Sequence, residues 1–139
     1  MIRFPLLVSA LLLSLSVAAQ SDTKKAFDHA AEFPGGLQGL QDYLRISMRY
    51  PEKAKNDKAE GRVQVRFDVN ENGSVGAITV MNPIHPSLDS EAVRVVRGMP
   101  NWKPATLDNK TVKVSMVLPV VLRSTIKRES EPPIRIRLL

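Results

Sequence analysis

The chain has 139 residues, 43% of them hydrophobic and 24% charged, with a formal charge of +6 and no cysteine. That length fits one domain, and that composition excludes wholesale disorder. Without cysteine there is no disulfide framework, zinc ribbon, thiol nucleophile or lipid-modified N-terminal cysteine.

The opening segment has one cation, Arg3, then an apolar run from Phe4 to Ala19 ending in Val17, Ala18 and Ala19. This is the layout of a secretory signal peptide cut before Gln20, so residues 1–19 are expected to be a leader. As a helix the run would reach roughly 24 Å, short of the ~30 Å hydrocarbon core of a bilayer. Residues 20–32 read as a polar linker.

Phe33-Pro34-Gly35-Gly36 marks a turn at the start of the folded part, 33–123. Leu37, Leu40, Leu44 and Met48 recur at helical spacing, predicting an amphipathic helix over 37–49. Pro51 suits the first position of a second, short helix through Lys58, and Gly61 ends it. Val63, Val65, Phe67 and Val69 then alternate with Arg62, Gln64, Arg66 and Asp68, the pattern of a half-buried strand. Asn72-Gly73 suits a hairpin turn into a second strand, Ser74 to Met81, whose slipped apolar phase predicts a bulge near Gly76. A helix capped by Ser87 or Asp89 runs to Arg97, with Ala92, Val93, Val96 and Met99 on its buried stripe and Gly98 at its end. Trp102 and Pro104 lie in the next loop, with Trp102 expected to be buried against the 89–97 helix. A last strand from Thr111 to Leu122 follows.

The order is α-α-β-β-α-β, an α+β domain. A right-handed crossover from the second strand to the third leaves room for the first between them, giving a three-stranded antiparallel sheet of order 2-1-3. Pro119 fits this, because proline within a strand is confined to edges, starts and bulges. The third strand is therefore an open edge. Successive residues of a strand aim their N–H and C=O at opposite neighbours, and Pro119 lacks an N–H. Its parity should face outward, so Thr111, Lys113, Ser115 and Val117 should offer main-chain bonds to a partner. Val112, Val114 and Met116 should bond the first strand.

The tail, 124–139, is basic. Ile134-Arg135-Ile136-Arg137-Leu138 alternates like a one-sided strand, after Pro132-Pro133 has excluded helix. It can lie antiparallel along the free edge as a built-in occupant, competing with an incoming peptide and shielding the edge from aggregation. The other reading is a loose tail.

Residues 123–139 carry half of the net charge, +3 of +6, and residues 20–122 are nearly balanced at +2, without the basic stripe of a nucleic-acid reader. No phosphate loop, HExxH pair or GxSxG elbow occurs, so catalysis, a metal and a cofactor are not expected. His85, between Pro83 and Pro86, reads as a loop residue.

Tyr50-Pro51-x-x-Ala54, Gly61-x-Val63-x-Val65-x-Phe67-x-Val69 and Asn72-Gly73 together resemble the start of the TonB C-terminal domain. The resemblance continues through Leu88-Asp89-x-Glu91-Ala92, Trp102-x-Pro104 and Leu118-Pro119-Val120. It implies a periplasmic module that binds the TonB box of outer-membrane transporters by adding a strand beside the third strand. That agrees with the open edge read from Pro119. The resemblance implies no small-molecule substrate. A full energy transducer of this kind also has a membrane anchor and a long Pro-rich spacer. Here about a dozen residues separate Ala19 from Phe33, reaching roughly 40–45 Å when extended. The alternatives are an anchored short-spacer transducer and a self-associating structural domain whose open edge forms a homodimer.

Overall fold

The computed structural model describes residues 27–124 and 135–139. The leader, the start of the linker and most of the tail connector lie outside these residues. Among the described residues, no helix is long and apolar enough to cross a membrane.

The elements run α1 (Gly36–Ser47), α2 (Glu52–Asn56), β1 (Gly61–Val69), β2 (Val75–Val80), α3 (Pro86–Arg97), β3 (Ala105–Leu107), β4 (Lys110–Val112), β5 (Val114–Leu122) and β6 (Arg137–Leu138). The main sheet is antiparallel with order β2-β1-β5-β6, and β3 and β4 form a separate hairpin. The three predicted strands thus stand in the predicted order, and the tail adds a fourth.

β1 is central because its alternation gives it one fully apolar face. Val63, Val65, Phe67 and Val69 are wholly buried, together with Leu118, Leu40 and the α3 residues Leu88, Ala92, Val95 and Val96. Each valine, leucine or phenylalanine among them contributes about 1.5–3 kcal/mol by leaving water. Arg62, Gln64 and Arg66 stay exposed on the opposite face.

The β1–β2 hairpin turns through Asn70–Ser74, with Gly73 N–H donating to Asn70 C=O and Asn70 N–H to Ser74 C=O. Gly73 has φ +85°, and a Cβ there would lie 2.0 Å from the Trp102 carbonyl oxygen. Glycine is needed here for both conformation and space. The register slips between Arg66 and Asp68, so the bulge falls at Ala77 and Ile78, just beyond Gly76.

Several boundaries differ from expectation. The end of the expected linker is part of the fold: His29 bridges Thr106, Glu32 bridges Lys103, and Ala31 is buried. Pro51 precedes α2 as an extended cap instead of starting it. Neither Ser87 nor Asp89 caps α3; His85 holds that position and Pro86 is the first helical residue. Asp89 instead accepts the Ile84 N–H at 3.1 Å. Val95, not Val93, completes the buried stripe. Gly98 ends α3 with φ −81°, so its small size beside the Tyr43 hydroxyl matters more than any left-handed turn.

The largest difference concerns the last strand. Asp108 and Asn109 both adopt positive φ, closing a two-residue turn between β3 and β4. The expected strand Thr111–Leu122 is therefore split at Lys113, and Val112 pairs with Ala105, not with β1.

Trp102 is 3% exposed, as expected of a core residue. Its ring meets Phe33 edge-on at 5.5 Å and Phe67 at 5.4 Å. It plugs the space between the segment before α1 and β1.

Candidate functional site

β5 is bonded along its whole length to β1, from Gly61–Leu122 to Val69–Val114. Main-chain direction along it can be read from neighbouring bonds. Gln64 C=O accepts the Met81 N–H and Gln64 N–H donates to Asn82 Oδ1, so its polar groups face β2. Pro119, directly opposite Gln64, must then aim its C=O away from β1. By alternation Val117 and Ser115 face outward too, while Met116 and Leu118 bond β1. Leu139 N–H donates to Ser115 C=O at 3.3 Å, consistent with that direction.

Of the four residues expected on this edge, Ser115 and Val117 lie in β5, Lys113 occupies the break, and Thr111 lies in β4. Thr111 has the same outward parity: its partner Thr106 turns its N–H and C=O to residues 28 and 29, so neither bonds across the hairpin. The edge is thus interrupted at Lys113 and is continuous only within β5.

Side chains fasten the start of that edge. The Ser115 hydroxyl donates to Asp68 Oδ1 at 2.5 Å, and Lys113 Nζ lies 3.1 Å from Asp68 Oδ2. Asp68 is 8% exposed. The Ser115 hydroxyl above all holds its carboxyl below the ordinary range, against the effect of burial and with help from Lys113. At the other end, Ser124 gives its N–H and its hydroxyl to Glu60 Oε1, at 2.9 and 2.6 Å. Sequence reasoning missed both clasps, because each joins residues more than forty positions apart in sequence.

The outer side of β5 carries β6, antiparallel, with Met116 opposite Leu138 and Val117 opposite Arg137. Ile136 packs against the core, while Leu138 and Leu139 are 40% and 63% exposed.

Elsewhere, the His85 ring lies between Asp57 Oδ2 at 2.9 Å and the Ser87 hydroxyl at 2.8 Å, linking the end of α2 to the start of α3. Glu91 accepts the Arg49 N–H at 2.7 Å and pairs with Arg94, which also reaches Ser47 C=O. This fastens the end of α1 to α3. Among the described residues no group of three His, Asp or Glu side chains could hold a metal ion.

The Gram-negative bacterial TonB protein C-terminal family matches residues 46–122, from the end of α1 to the end of β5. The chain belongs to the TonB C-terminal family. This family is transport-associated and non-catalytic. Among solved structures, the chain is similar to an NMR structure of the Helicobacter pylori TonB C-terminal domain, at 26% identity and TM-score 0.45. That match covers 61% of this chain and 89% of the other. A longer fragment of the same domain matches at 24% identity and TM-score 0.44, covering 64% and 82%. Among curated proteins no relative matches the chain.

Proposed function

We propose that this TonB-like domain works in the periplasm, where it binds the extended TonB-box peptide of outer-membrane transporters by strand addition along β5. The observation that carries this reading is the direction of the β5 main chain. Ser115, Val117 and Pro119 turn away from β1, on a strand whose other side is fully bonded. An extended peptide there takes over the main-chain hydrogen bonds that β6 makes, leaves the β1 side unchanged, and gains selectivity from its alternate side chains. Membership of the TonB C-terminal family supports the choice of partner.

The test is calorimetric titration of the full chain with a synthetic peptide copying the TonB box of a transporter. Ser115→Pro removes one outward N–H and should weaken binding about tenfold relative to Ser115→Ala, which removes only the hydroxyl held by Asp68, with circular dichroism checking that both variants are folded. Equal binding by a folded Ser115→Pro chain would exclude β5 as the capture strand.

A further inference from the structure

We propose that β6 is a built-in stand-in for the ligand of β5, and that its side chains define the class of peptide this edge accepts. The inference rests on β5 being the capture strand. Its starting point is the contrast between the two partners of that strand. β1 pairs with β5 through nine residues, whereas β6 pairs through Met116–Leu138 and Val117–Arg137, with one more bond from Leu139. A two-residue edge strand with exposed Leu138 and Leu139 opens locally at little cost in free energy, without unfolding the sheet.

Side-chain placement supplies the pattern. Leu138 stands opposite Met116 on the core side of the sheet, and Ile136, two residues earlier, packs against the core. Ile136 extends the core-side layer by one strand, and Leu138 lies at its rim, 40% exposed. Arg137 is opposite Val117, which is in turn opposite Arg66, so all three project on the other face. The tail therefore sets a second arginine on the same face as Arg66, two strands away, with backbones roughly 10 Å apart at ordinary strand spacing. Like charges across a sheet weaken an occupant. The preferred ligand follows: an extended peptide with apolar residues at alternate positions and a neutral or acidic residue between them. It replaces Ile136 and Leu138 in kind and removes the repulsion at Arg137.

The experiment uses the full chain and its Arg137→Pro variant, which loses the tail N–H facing Val117. The probe is a fluorescent peptide copying residues 134–139, followed by anisotropy. Arg137→Pro should bind it at least about tenfold more tightly than the wild type, whose own tail fills the site. A peptide with serine in place of Ile136 and Leu138 keeps its charge and should lose binding. A peptide with glutamate at the Arg137 position should bind about two- to fivefold more tightly than the arginine form. Equal affinity of wild type and Arg137→Pro, or absence of binding to both, overturns the proposal. So does full retention by the serine peptide, or weaker binding of the glutamate form. Binding of these peptides without binding of a transporter peptide leaves this inference standing and removes the functional reading.

Discussion

The two sides of β5 are built from one strand and differ in nearly every other respect. Towards β1, nine residue pairs lie over the wholly buried Val63, Val65 and Phe67, and the Ser115–Asp68 and Ser124–Glu60 bonds close both ends. Towards β6, two residue pairs carry leucines that stay exposed. The difference shows that hydrogen bonds alone do not fix a strand in place. A backbone bond nets only about 0.5–1.5 kcal/mol, so the apolar layer beneath it decides which partner is permanent. One side of β5 is structural, and the other is the side proposed to exchange.

The most severe way to break this contrast is to open the bonded side. Trp102→Ala removes the ring between Phe33 and Phe67 and should destabilise by about 3–5 kcal/mol, read by denaturant titration. Arg137→Pro, on the β6 side, should cost only about 1.4 kcal/mol in the same titration, the tenfold gain in peptide affinity expressed as lost docking of the tail. Comparable losses from the two would end the distinction.

A smaller effect is read by pH at the clasp between α1 and α3, away from β6. Burial pushes the Glu91 carboxyl up, but the Arg94 guanidinium and the Arg49 N–H outweigh it and hold the group below 4.5. A depressed native value means that the unfolded chain binds more protons as the pH falls through this range. The stabilisation is fully present above the unfolded value and is lost with acidification. The melting temperature should therefore fall from neutral pH towards about pH 3, and Asp68 acts in the same direction. Glu91→Ala should cost about 1–3 kcal/mol at neutral pH and flatten that dependence. A slope unchanged in Glu91→Ala would assign the acid sensitivity to other carboxylates.

The sequence made the permanent side of β5 readable and the β6 side only partly so. Alternation in β1, the Asn70–Ser74 turn and Pro119 together yield the sheet order and the outward parity, because each is a local rule about a few consecutive residues. The split at Lys113 was not anticipated. Its signal was Asp108-Asn109, two residues that tolerate positive φ, without the glycine that usually announces a tight hairpin. The clasps to Asp68 and Glu60 depend on which strands meet, so no local pattern exposes them. The tail strand was legible as alternation, but the choice between a docked and a loose tail depended on whether Ile136 would find the core. Trp102 was readable as buried, while its aromatic neighbours came from segments far apart in the chain.

The most direct test of the two-sided strand is amide hydrogen exchange at three consecutive residues, Met116, Val117 and Leu118, in the full chain. The Met116 and Leu118 amides point to β1 and should exchange only with global unfolding, whereas Val117 points to β6 and should exchange faster through local opening. Protection of Val117 equal to that of its two neighbours would contradict the account.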